Sequence, residues 1–136
     1  MKVVFVDAVF WIALLNPFDD LHERALELAE TTQKANLFTT QEVLIEVLNY
    51  FSKKGSALRH QAVTFIYDLF GQSNIHIEKQ TSSTFHKGLT LYASRLDKRY
   101  SATDCISMDH AKELNIKDIL TNDAHFTQEG FNILLK

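Results

Sequence analysis

Four carboxylates stand in surroundings that are otherwise apolar or small. They are Asp7 at the end of "VVFVD", Glu46 inside "VLIEVLNYF", Asp104 in "SATDCISM" and Asp123 in "ILTND". Within a few ångströms of one another, such groups repel and raise each other's pKa. A hard divalent cation relieves the repulsion, because Mg²⁺ or Mn²⁺ takes oxygen ligands and keeps waters for a substrate. The chemistry then open is polarisation of a phosphate oxygen and in-line hydrolysis of a phosphodiester. Each acid also has a plain structural reading. Asp7 can end a strand, Glu46 can pair with a lysine or water at a helix surface, and Asp123 can be a turn residue. Ser101 and Asp104 have the form of a capping box, in which the carboxylate serves free N–H groups at a helix N-terminus.

Other candidates sort around these four. Glu42 lies one helical turn before Glu46, and Glu46 is preferred because it sits deeper in the apolar run. Asp19, Asp20, Asp109 and Asp118 read as surface or loop charges. The six histidines show no HExxH or paired-ligand spacing, which argues against zinc. His125 reads as a packed or surface imidazole. Arg95, Lys98 and Arg99 in "SRLDKRYS" precede Asp104 and can take substrate phosphates, as can Lys53 and Lys54. A solvated charge cluster explains the same residues.

The elements that position the acids follow from the hydrophobic pattern. "VVFVD" suits a buried strand ending at Asp7, and "VFWIALL" is apolar nearly all round until Asn16-Pro17 ends it. Leu21, Ala25, Leu28 and Ala29 recur at helical spacing. "NLFTT" reads as a second strand, with Thr40 capping the helix of "QEVLIEVLNYF". After Gly55-Ser56, Leu58, Ala62, Phe65, Ile66, Leu69 and Phe70 predict a helix with one apolar face. Then follow "IHIE" as a strand and "SSTFHKGLTLYASRL" and "SATDCISMDHAKEL" as helices. "DILTND" reads as a strand, "AHFTQEG" as a turn and "FNILL" as a last strand. Alternating strands and helices predict a three-layer α/β/α sandwich with a mostly parallel central sheet. In such sheets ligands bind beyond the C-terminal strand ends. Asp7 and Asp123 close strands there, and the helix of Asp104 starts there.

Bulk properties narrow the class. At 136 residues, 46% hydrophobic and 23% charged, the chain reads as a single globular domain spanning residues 1–136. One cysteine, Cys105, rules out an intramolecular disulfide and a thiolate metal cluster. No apolar stretch reaches the roughly 18 to 20 residues of a membrane span, and "MKVVFVD" carries an acid too early for a signal peptide. A cytoplasmic location is expected. With 17 acids against 14 Lys and Arg, the net charge of −3 gives no basic surface in its totals. Any grip on nucleic acid must use a local patch or a bound cation.

The four acid-bearing blocks also carry a family resemblance. "VDAVFWIALLNPFDDLHERALELAE" resembles the opening of a PIN domain, and its "WIALL…D…H..A" pattern resembles the VapC-type toxins. "TTQEVLIEVLNYF", "YSATDCISM" and "ILTNDAHF" resemble the family's three further blocks, in order, through nearly the whole chain. The resemblance implies an α/β/α fold and a catalytic, metal-binding quartet of Asp7, Glu46, Asp104 and Asp123. It implies a Mg²⁺- or Mn²⁺-dependent endoribonuclease, with RNA as substrate, a cognate antitoxin as partner and a homodimer to which "VFWIALL" contributes. Ala8 departs from the family, which often has Thr or Ser after the first aspartate. Thr121 and Asn122 are the residues placed to supply a hydroxyl and an amide instead. Two other classes compete: a PIN fold that binds RNA or a partner without cutting, and a haloacid-dehalogenase-type phosphatase. The latter wants a second aspartate that "DAVFW" lacks. A general RNA-processing nuclease shares the chemistry of the leading reading without the antitoxin.

Overall fold

The computed structural model describes residues 2–136. Five strands form one sheet: β1 (Val3–Val6), β2 (Asn36–Thr40), β3 (Ile75–Glu78), β4 (Asp118–Leu120) and β5 (Asn132–Ile133). Their order is β3-β2-β1-β4-β5, and every pairing is parallel. β1 occupies the centre, with Val4, Phe5 and Val6 fully buried, as a β-branched and aromatic run with helices on both faces requires.

The connections explain the layers. From β1 to β2 the chain runs through α1 (Ala8–Leu15) and α2 (His22–Thr31). From β2 to β3 it runs through α3 (Gln41–Phe51) and α4 (Ser56–Phe70). It then crosses back through α5 (Ser82–Ser94) and α6 (Ala102–Glu113) to β4, and through α7 (Ala124–Gln128) to β5. The crossovers run in opposite directions from β1, and the right-handed rule for parallel strands then puts α1 to α4 on one face and α5 to α7 on the other, in keeping with the packing of α1 on α2 and α3, α3 on α4, and α5 on α6. The result is the expected three-layer α/β/α sandwich.

Local chemistry sets the boundaries. The Thr40 hydroxyl accepts the Val43 N–H at 3.1 Å and starts α3. Thr81 and Thr84 form a capping box for α5, and Ser101 and Asp104 form one for α6. α6 ends with Asn115 at φ 56°, in the left-handed region, and the Ile116 N–H reaches back to the Ala111 carbonyl at 2.9 Å. Gly88 lets α5 lie close on α6, since a Cβ there would run into Ile106.

Four expectations need correction. "DILTND" is a strand only through Leu120, and the strand in "FNILL" covers only Asn132–Ile133. "AHFTQEG" is not a bare turn but the five-residue α7, closed by Gly130 at φ 91° with the Phe131 N–H on the Phe126 carbonyl at 3.0 Å. Phe126 is fully buried, and its packing on Phe131 holds this short helix in place. On α4, Phe70 turns outward with Val63 and Tyr67 instead of joining the core face. The apolar α1 is accounted for within one chain, with Ala8, Phe10, Trp11 and Ala13 all buried.

Candidate metal centre

The sheet order reverses at β1, which has β2 on one side and β4 on the other. That reversal opens a crevice beyond the C-terminal ends of the two strands. Val6 lies opposite Leu120, so the next residues, Asp7 and Thr121, leave the sheet side by side. The Asp7 N–H donates to the Leu120 carbonyl at 3.3 Å, and the Thr121 hydroxyl donates to Asp7 Oδ2 at 2.8 Å. The same hydroxyl accepts the Asp123 N–H at 3.1 Å. One threonine side chain thus ties two of the acids together. Asp123 is the N-cap of α7, its Oδ1 accepting the His125 N–H at 2.9 Å.

Asp104 arrives from the other side of the chain, in the first turn of α6. Its Oδ2 accepts the Ser101 N–H at 3.2 Å, while the Ser101 hydroxyl accepts the Asp104 N–H at 3.0 Å. The capping box read from the sequence is present, and the carboxylate still faces the crevice. One ligand atom each from Asp104, Asp123 and His125 lie within 4.8 Å of one another.

The electrostatics record the same crowding. Burial pushes the Asp7 carboxyl up to about 7, opposed by the Thr121 hydrogen bond and reinforced by the charges of Asp104 and Glu46. Burial raises Asp104 too, with Asp123 adding to it and the Ser101 N–H and His125 opposing. Glu46 is raised by partial burial, then by Asp104 and Asp123. These shifts, set first by burial and then by the neighbouring acids, disfavour the ionised carboxylates, and a cation in the crevice would offset that. The donors are mainly carboxylate oxygens, which suits a hard divalent ion. The residues present fit such an ion.

The expectation that Glu46 lies deeper than Glu42 is reversed in the fold. Glu46 is exposed and Glu42 half-buried, because Ile45 and Leu48 beside Glu46 also face outward and the apolar run is not buried all round. Glu42 instead borders a separate hollow with Glu78, Lys87 and His110. Glu46 is the one that the charges of Asp104 and Asp123 reach.

The flanking cations diverge. Arg95 is engaged by Glu129, with Nη2 at 2.7 Å and Nε at 3.1 Å from Oε1. Lys98 sits 3.6 Å from its neighbour Asp97. Arg99 is exposed and makes no ion pair among the described residues. Asn122 is exposed and points to no partner within hydrogen-bond distance among the described residues.

Two further residues bear on the site. His125, in the same block as Asp123 and expected as a packed or surface imidazole, has its Nδ1 3.4 Å from Asp104 and 3.4 Å from Asp123. Its place two residues after Asp123, at a helix start, was the available signal. Glu129 gave no signal in the sequence. It accepts from Arg95, from Lys112 at 2.8 Å and from the Tyr100 hydroxyl at 2.8 Å, and these hold its carboxyl down to about 2. The Tyr100 ring in turn rests on the His125 ring, with centroids 5.4 Å apart.

The profile of the PIN domain matches residues 4–131. No curated protein matches the sequence. Among solved structures, the chain is similar to VapC20 of Mycobacterium tuberculosis, a Sarcin-Ricin loop cleaving toxin. The two share 21% identity at a TM-score of 0.84, covering 98% of this chain and 99% of that one. The DNA-bound VapBC of Salmonella typhimurium follows at 13% identity and TM-score 0.68, covering 98% of both chains. VapBC2 of Rickettsia felis, bound to a promoter fragment, has 17% identity and TM-score 0.65, again covering 98% of both. At these identities the likeness speaks for the fold.

Proposed function

Because the chain belongs to the PIN domain family, we propose that it is a Mg²⁺- or Mn²⁺-dependent endoribonuclease, the toxin of a toxin–antitoxin pair acting in the cytoplasm. Residues 1–136 then form one nuclease domain. The observation that supports the reading is the cluster of Asp104, Asp123 and His125 within 4.8 Å of one another, with Asp7 tied to the backbone of Asp123 through the Thr121 hydroxyl, beyond the strand ends where the sheet order reverses. VapC20, a toxin that cleaves the Sarcin-Ricin loop, has the same fold and supports RNA as the substrate class.

Asp7, Asp104 and Asp123 would hold the ion, with Glu46 facing it. When bound, the ion offsets charge on the scissile phosphate and makes a water easier to deprotonate. The chain's own contribution is positional. Thr121 fixes Asp7 and the backbone of Asp123, the α6 capping box fixes Asp104, and Arg99 offers a cation to a flanking phosphate. Thr121 thereby supplies the hydroxyl that Ala8 lacks.

Partners have surfaces to cover. Val63, Tyr67 and Phe70 make one exposed apolar row on α4, and Phe85, Leu89 and Tyr92 make another on α5, continued by Leu96. Apolar rows left open in this way fit an antitoxin chain and a second copy of the protein. No helix of the described residues is long and apolar enough to cross a membrane.

The test is cleavage of a mixed cellular RNA pool by purified protein with Mg²⁺, with Mn²⁺ and with EDTA. Cutting is expected with either ion, stops on chelation and returns when the ion is restored. RNA that binds but stays whole with both ions, in protein freed of any antitoxin, would move the non-cleaving binding module to the front.

A smaller effect is expected at Thr121. Thr121→Val keeps the shape but strands Asp7 Oδ2 and the Asp123 N–H. Loss of an oriented outer partner is expected to weaken divalent-ion affinity by about 10- to 100-fold. The stranded polar groups cost about 1–3 kcal/mol of stability. Ion titration and urea unfolding read the two effects separately.

A further inference from the structure

We propose that His125 is a nitrogen ligand of the ion, so that the centre is a mixed nitrogen–oxygen site selective for Mn²⁺ over Mg²⁺. The inference rests on the metal-dependent reading above and goes beyond its all-carboxylate site.

The distances point this way. Nδ1 stands 3.4 Å from Asp104 Oδ2 and 3.4 Å from Asp123 Oδ1. Both separations are long for an N–H···O hydrogen bond, whose ordinary range ends at about 3.2 Å. Neighbouring ligands around one ion at about 2.1 Å are separated by about 3.0 to 3.4 Å, from octahedral to tetrahedral arrangements. The equal spacing therefore suits an edge of a coordination shell better than a hydrogen bond to either acid.

The ring is also aimed. The His125 backbone N–H is fixed on Asp123 Oδ1 at 2.9 Å, so the ligand pair Asp123–His125 is set by the start of α7. The Tyr100 ring lies tilted against the imidazole at 60°, and the Tyr100 hydroxyl is anchored on Glu129, which Arg95 and Lys112 also grip. Outside the two acids, the imidazole has no polar partner among the described residues. This chain of contacts ends on Nδ1 directed at Asp104 and Asp123. A ligand ring is commonly oriented by an outer set of residues in this manner.

The chemical consequence is selectivity. Mn²⁺ shares the preference of Mg²⁺ for oxygen donors but, as a transition ion, accepts one imidazole among them, whereas Mg²⁺ gives up water reluctantly. Removing the ring should penalise Mn²⁺ far more than Mg²⁺.

Electron spin-echo spectroscopy of the Mn²⁺-loaded protein tests this without reference to activity. A ¹⁴N coupling of imidazole type is expected in the parent, replaced by a ¹⁵N pattern when histidine is ¹⁵N-labelled, and lost in His125→Asn. In parallel titrations, His125→Asn should raise the Kd for Mn²⁺ at least about 10-fold and that for Mg²⁺ less than about 3-fold. Mn²⁺ bound tightly with no nitrogen coupling would overturn the ligand assignment and leave the carboxylate site standing. Equal losses for the two ions would overturn the selectivity. A parent that binds neither ion would bring down the metal-dependent reading itself. The coupling is measured on the unaltered chain, so a variant that fails to fold does not decide the matter.

Discussion

Asp104→Asn should leave the protein folded and reduce RNA hydrolysis by at least about 100-fold. The two halves of this expectation come from two jobs of one side chain. As a cap, Asp104 accepts the Ser101 N–H at 3.2 Å, and an amide oxygen can accept it as well. As a site residue, it brings a charge to within reach of Asp123 and His125, and an amide brings none. Burial and Asp123 raise its carboxyl, so the protein holds this charge at a cost that asparagine does not carry. Thermal melting at or above the parent's, together with lost cutting and weakened Mn²⁺ binding, is the expected pattern. Cleavage within a few-fold of the parent would reduce Asp104 to a cap. The loss assigned here is at least that seen when an outer-sphere partner is removed from a metal site.

Asp7→Asn should act in opposite directions on stability and on activity. In the folded, ion-free protein the Asp7 carboxyl is raised to about 7, against an ordinary value of 3.8. The folded state therefore holds a proton that the unfolded chain has released, and stability falls as pH rises from about 4 through about 7. A shift of this size corresponds to about 4 kcal/mol when fully expressed. Asparagine has no proton to lose, and its amide oxygen can still accept from the Thr121 hydroxyl. Without divalent ion, the variant should match the parent near pH 4 and exceed it by about 2–4 kcal/mol at pH 8. Ion binding and cleavage should be lost. Urea unfolding in EDTA across this pH range measures the first effect. A parent whose stability does not fall relative to the variant would mean that Asp7 is already ionised in the fold. The arrangement describes a functional residue whose ionised form is unfavourable until its counter-ion arrives, a familiar trade between stability and activity.

Much of this was legible in the order of residues. The alternation of β-branched runs with 3.6-residue patterns gave a parallel sheet covered on both faces, because burial on one or two faces leaves a periodic trace. The Thr40 cap and the Ser101–Asp104 box were readable because capping depends on residues three apart. Boundaries near the C-terminus were not. α7 is a five-residue helix whose persistence depends on Phe126 packing on Phe131 and on Gly130 adopting a positive φ, and "AHFTQEG" alone lacks a helical period to show it. Depth in the apolar run and the family block both favour Glu46 over Glu42, yet in the fold Glu46 is the more exposed of the two. What separates them is direction, which hydrophobic spacing does not encode when the partner surface is charged.

The sequence by itself determined the inventory: four acids in four separated blocks, the elements that carry them and the end of the sheet at which they emerge. Those are local matters of propensity, capping and period. Which groups meet was decided by tertiary structure alone. The reversal of strand order at β1 sets Asp7 beside Thr121, the start of α7 turns His125 back onto Asp104, and Glu129 pairs with Arg95. Each of these contacts joins residues 21 to 114 positions apart, and such pairings depend on how layers stack rather than on any neighbour in the chain.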